Sequence, residues 1–189
     1  MRPILLPVLA LAVAAGALPV VAQQPVYLNI EQITVEIGRG SSFTTDNNTF
    51  SRGFGLEKVI DAPSAAAEEV HDQDTHLWFT GGVLELVFSF DVNYDITTLH
   101  FWNYNSEDYD VDRIEFAFYD KGGTLLRALT VEPALGSTPA IRAEDIALDA
   151  PLSVRTVIAR LSGSNGQIDF QNMGFTATVS ATDSNDPLA

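Results

Sequence analysis

Cysteine is absent from the 189 residues, which excludes disulfides, a lipid-attachment site and thiol chemistry. Stability must then come from an apolar core or from a bound ion. Positive charge is scarce too: 10 Lys and Arg stand against 25 Asp and Glu, a formal net charge of −15. A surface of that sign repels nucleic acid and anionic lipid, so neither is an expected partner, while divalent cations are attracted. The sequence has no Gly-x-Ser-x-Gly elbow, no His-Glu-x-x-His and no glycine-rich phosphate loop. Glu107 and Asp108 form an acidic pair of the kind glycosidases use. In a chain with 25 acidic residues, however, such neighbours arise by chance. Nothing here points to an enzyme.

The one long apolar run lies at the start. Arg2 precedes an uncharged stretch from Ile4 to Val21, and Val20-Val21-Ala22 suits signal-peptidase cleavage before Gln23. Residues 1–22 are expected to be a secretory signal peptide, giving a secreted or periplasmic protein with no membrane insertion after cleavage. An uncleaved anchor is the alternative, and Pro7, Gly16 and Pro19 speak against it. The remainder has the size of one domain and is long enough to bury a sizeable core. Residues 23–32 read as a linker and first strand, 33–180 as a single domain and 181–189 as a flexible tail. There is no internal repeat.

The periodicity is that of strands. Leu84, Leu86, Phe88 and Phe90 alternate with Glu85, Val87, Ser89 and Asp91, the pattern of a half-buried strand. Thr97–Tyr104, Arg113–Tyr119, Thr124–Val131, Val154–Leu161 and Phe170–Val179 follow, with Gly122-Gly123 as a tight turn. Between Val26 and Ile37 the alternation slips at Glu31-Gln32, which predicts a bulge or a break between two short strands. Gly55–Asp61 suits one helical turn and Pro63–Val70 a second short helix. Pro133–Pro151 shows no firm period. Seven or eight short strands with so little helix predict an all-β, jelly-roll β-sandwich. If successive strands reverse direction, loops 71–82, 105–112 and 133–152 share one end. Turns 92–96, 120–123 and 163–168 share the other.

That first end gathers the chemistry of sugar recognition: flat apolar faces for stacking, with amides, carboxylates and guanidinium groups for hydroxyls. Trp102, Asn103, Tyr104, Asn105, Tyr109 and Arg113 fall within twelve residues, and Arg52, His76 and Trp78 can join from neighbouring loops. The plainer reading has Phe101 and Trp102 in the core, with Asn103 and Asn105 bonding backbone at a strand end.

From Ile33 to Val179 the chain resembles the discoidin-like (coagulation factor 5/8 type C) domain and related galactose-binding-like carbohydrate modules. Leu56–Asp61 is similar to the opening segment in which an apolar pair precedes Asp-Gly, and Asp74-Thr75-His76-Leu77-Trp78 to the later Thr-x-Trp element. Leu84–Phe90 matches the first core strand. Leu99–Asn105 matches the strand ending in Asn-Tyr-Asn, Ile114–Gly122 the hairpin and Phe170–Phe175 the closing strand. The chain departs from the pattern with Ala62 after Asp61, an apparent insertion before Trp78, and Asn172 where Glu is common. The resemblance implies a non-catalytic, lectin-like module that binds a glycan or cell-surface polysaccharide. A protein–protein adhesion or matrix-assembly domain, or a purely structural envelope protein, are the alternatives. It also implies structural calcium, with Asp61 and Asn172 brought close together. Asp61, Asp72, Asp74, Thr75 and the Asn172 amide oxygen can supply part of the oxygen shell that calcium requires. Asp72 and Asp74 equally suit turn caps.

Overall fold

The computed structural model describes residues 23–42, 49–50, 55–70, 77–80 and 82–181. The leader, Arg52, His71, Asp72, Asp74, Thr75, His76 and the tail beyond Ala181 lie outside the described residues. Two strands dominate the rest: β6, Val83–Asn103, with 21 residues, and β10, Glu144–Ser162, with 19. Each runs through two sheets. The first half of β6 pairs with β2 (Ile33–Ile37) and with the last part of β10. The second half pairs with β11 (Gln167–Val179) and with the first part of β10. Beyond β10, β7 (Arg113–Tyr119) and β8 (Leu125–Val131) complete the first sheet. Beyond β11, β1 (Val26–Leu28), β5 (Leu77–Thr80) and β3 (Thr49–Phe50) complete the second. All of these pairings are antiparallel.

The alternation in β6 explains the layering. Leu84, Leu86, Phe88 and Phe90 are buried, and Phe88 and Phe90 meet Phe175 of the opposite sheet edge-on, with ring centroids 5.4 and 5.3 Å apart. Such tilted aromatic contacts favour the quadrupoles as well as burying area. The Gly-Gly turn forms as expected: Gly123 takes φ 79° and its N–H donates to the Asp120 carbonyl at 3.0 Å. The break at Glu31-Gln32 is a turn in which the N–H groups of Gln32 and Ile33 both donate to the Asn29 carbonyl. Among the described residues no helix is long and apolar enough to cross a membrane.

Two expectations are corrected. Of the two short helices only the first forms, a 3-10 helix over Leu56–Ile60. Pro63–Val70 makes one turn and then β4, Glu68–Glu69, which pairs with β9, Ile141–Arg142. The ladder and the Arg142–Glu68 ion pair override the helix propensity of the alanines. The second correction concerns the ends of the sandwich. Residues 144–154 are the first half of β10, not a loop, so the chain crosses the sandwich once more than the pattern suggested. The turn 163–166 therefore lies at the same end as loop 104–112.

Candidate ligand-binding site

Three connections meet at that end. Loop 104–112 is held on one side by turn 163–166: the Asp112 N–H donates to the Ser162 carbonyl at 3.0 Å and the Asn165 amide to the Asp108 carbonyl at 2.8 Å. The Ser164 N–H adds a bond to the Asp112 carboxylate. On the other side lies loop 132–143, where the Gly136 N–H donates to the Tyr104 carbonyl at 2.8 Å. Any Cβ at Gly136 would run into the carbonyl oxygen of Asn103, so the close approach requires glycine.

Asn103 is the clamp between the two loops. Its amide nitrogen donates to the carbonyls of Val111 (3.0 Å) and Ala134 (3.1 Å) and to the Asp110 carboxylate (3.3 Å). Its amide oxygen accepts from the N–H groups of Val111 (2.9 Å) and Tyr104 (3.0 Å). Only 1% of the residue is exposed. Trp102 is fully buried against Ala62 and Ile141, and its indole N–H donates to the Ala67 carbonyl at 3.0 Å. Ligand contact by Trp102 and Asn103 is thereby corrected: neither offers a surface, and both support the loops that do.

Those loops expose a tyrosine pair. Tyr104 and Tyr109 lie with ring centroids 6.5 Å apart and planes inclined by 35°. Tyr109 is 44% exposed, and Tyr104 is half-buried beside the cluster around Trp102. Burial, the charge of Asp169 and Tyr109 raise the Tyr104 hydroxyl above its ordinary range, so it stays a hydrogen-bond donor at neutral pH. Next to Tyr104, a cleft of about 230 Å³ is lined by exposed Leu135, Gly136, Ser137, Arg142 and Glu144. Its polar groups already carry protein bonds. Ser137 Oγ donates to the Ala140 carbonyl at 2.6 Å, the Arg142 guanidinium pairs with Glu68, and Glu144 Oε2 accepts the Ala134 N–H at 2.7 Å. This leaves Glu144 Oε1 and the remaining Arg142 N–H groups for a polyol. Asn105 is half-buried at the start of the same loop. Arg113 is exposed but lies along β7 against Glu115, at 2.9 Å. Of Trp78 the backbone is described, paired in β5 with Asp169. His76 and Arg52 lie outside the described residues.

Asp169 and Arg142 escape a search for aromatic-rich loops. Asp169 sits in a strand between Ile168 and Phe170, and burial raises its carboxyl to about 8. An acid inside an otherwise apolar strand was the available signal. Arg142 carries none, because its place depends on the β4–β9 ribbon.

No protein-family model matches the chain, and no curated protein matches it. Solved structures do. An F5/8 type C domain from Bacteroides fragilis aligns with TM-score 0.55 at 12% identity, over 82% of this chain and 97% of that one. The family 32 carbohydrate-binding module of C. perfringens NanJ, solved with galactose, gives 0.53 at 10% identity, over 81% and 99%. A fucose-binding module from Streptococcus pneumoniae gives 0.52 at 12%, over 78% and 96%. The chain has the discoidin-like fold. The resemblance read from motif order holds at that level.

The calcium implied by discoidin-like relatives can be tested against Asp61 and Asn172. They do meet: the Asn172 amide nitrogen donates to Asp61 Oδ1 at 2.8 Å. Asn172 Oδ1 is taken by the Ala62 N–H at 3.2 Å, which fixes the amide with its NH₂ toward the carboxylate. Asp61 Oδ2 receives the Lys58 ammonium at 2.6 Å. Calcium needs converging lone pairs, whereas both carboxylate oxygens here already face protons. The pair does not fit calcium as it stands. Among the described residues no group of three or more His, Asp or Glu is arranged for a metal.

Proposed function

We propose that this chain is an exported, non-catalytic carbohydrate-binding module that holds a glycan across Tyr104 and Tyr109. The observation that carries the reading is the tyrosine pair itself, 6.5 Å apart on a loop clamped from both sides by buried Asn103. Two rings fixed in advance lose little entropy when a sugar face stacks on them. The adjoining cleft brings Arg142 and Glu144 for hydroxyls, and half-buried Asn105 follows Tyr104 in the loop. Solved modules with the same fold carry galactose or GalNAc, or bind fucose, which supports a hexose or its N-acetylated derivative as the ligand class.

A glycan array followed by calorimetry on the best hit tests this. Tyr109→Ala and Tyr104→Ala are each expected to weaken binding about tenfold, the loss of about 1.4 kcal/mol of stacking and hydrogen bonding. Asn105→Ala weakens it less. Tyrosine variants that bind like the parent would place the site elsewhere. A chain that retains no glycan but captures a protein through these rings would favour the adhesion reading. Export has its own check: expressed with its leader in a bacterial host, the chain recovered outside the cytoplasm begins at Gln23. Recovery with Met1 in place would leave it anchored or unexported.

A further inference from the structure

We infer that the Lys58 ammonium takes the role of a structural cation in this chain, so that the fold closes without calcium. Three elements converge on one carboxylate. Lys58 lies in the 3-10 helix Leu56–Ile60, Asp61 is that helix's C-cap, and Asn172 lies across the sandwich in β11, fully buried. The ammonium takes Oδ2 and the amide takes Oδ1, while the amide oxygen holds the Ala62 N–H. The two bonds of the Asn172 amide link positions 110 and 111 residues apart in sequence. The anchored segment is a structural one: Val59 and Ile60 enter the main core, and Ala62 packs in the cluster with Trp102. Asp61 therefore needs a positive partner to sit beside a buried amide. Glu57 and Glu69 add negative charge around Lys58. A monovalent group tethered one turn away satisfies that need at no cost in binding from solution.

Asn172 follows the same logic. A glutamate there would set two carboxylates against each other and demand a divalent ion. An amide instead donates to Asp61 and leaves a single charge, which one ammonium neutralises. Lysine at position 58 and asparagine at 172 thus serve the same carboxylate, one on each oxygen.

Thermal unfolding of the full chain, in millimolar calcium and in EDTA, tests the inference. The parent is expected to unfold at the same midpoint in both. Lys58→Met should lower the midpoint by about 3 °C, and Lys58→Arg should largely keep it. The double variant Lys58→Met/Asn172→Glu should be the least stable in EDTA and should gain in midpoint when calcium is added. A parent midpoint that rises with calcium would overturn the inference, as would a double variant indifferent to it. If the double variant folds only with calcium, the inference stands. Calcium calorimetry on the parent gives a second reading that needs no variant: heat of binding at this site, abolished by Asp61→Asn, would overturn it.

Discussion

Asn103→Leu is expected to cost the fold about 4 kcal/mol, although leucine keeps asparagine's branched outline. The change removes no exposed surface and no ion pair. It leaves the N–H groups of Val111 and Tyr104, and the carbonyls of Val111 and Ala134, without the partner that now serves them. Each buried polar group left unbonded costs about 1–3 kcal/mol, and only part of this set can turn to water. The Asp110 carboxyl suffers as well. Burial, Asp112 and Glu107 already raise it, and the Asn103 amide is one of the groups that hold it down. Urea unfolding gives the measurement: a lower midpoint with an unchanged slope. Glycan affinity should fall with it, because loop 104–112 and loop 132–143 both lose their tie. A loss under about 1 kcal/mol would mean that the two loops are held by other contacts, and that Asn103 is free to serve a ligand after all.

This division of labour was only half visible in the sequence. The strands declare themselves where period-two alternation is clean, as in Leu84–Phe90 and in Ile114, Phe116 and Phe118, all of them buried. The first half of β10 hides because two register shifts interrupt its alternation, between Ala147 and Leu152 and between Val154 and Thr156. Missing that half-strand put turn 163–166 at the wrong end of the sandwich. At the loop end, composition singled out aromatic and amide residues but not where each side chain lies. Tyr104 and Tyr109 read as contact residues and lie at the surface end. Trp102 and Asn103 read the same way, yet strand phase turns Trp102 under the segment carrying Ala62, and Asn103 bonds backbone on two loops. An asparagine at a strand end carries no mark that tells a clamp from a ligand contact. The helical turn over Gly55–Asp61 was legible, but not the pairing of Lys58 with Asp61 within it. That Asn172 offers its NH₂ rather than its oxygen depends on the Ala62 N–H, 110 residues away.

Asp169 gives the second large effect, and it is one of pH. Burial raises its carboxyl from an ordinary 3.8 to about 8, so between those limits the folded chain keeps a proton that the unfolded chain has released. Stability therefore falls as pH rises through that interval, by an amount on the order of 3 kcal/mol between pH 5 and pH 8. The raised Asp110 carboxyl adds to the same slope. Asp169→Asn keeps the shape and the hydrogen-bonding capacity of the neutral acid while removing the ionisation. Urea unfolding over a pH series should then show a shallower decline, with the variant more stable than the parent at pH 8 and nearly equal to it near pH 4. The direction is opposite to that of a carboxylate held by an ion pair, whose stabilisation is lost on acidification, so the sign alone separates the two cases. If the variant and the parent decline in parallel, Asp169 is ionised throughout. Its neighbour Tyr104 would then carry a full negative charge at its side, and glycan binding should respond to Asp169→Asn at every pH. If the variant flattens the profile, the acid is neutral at the working pH of the site. The sugar proposed for the tyrosine pair would then lie beside a hydrogen-bonding acid, not a charge.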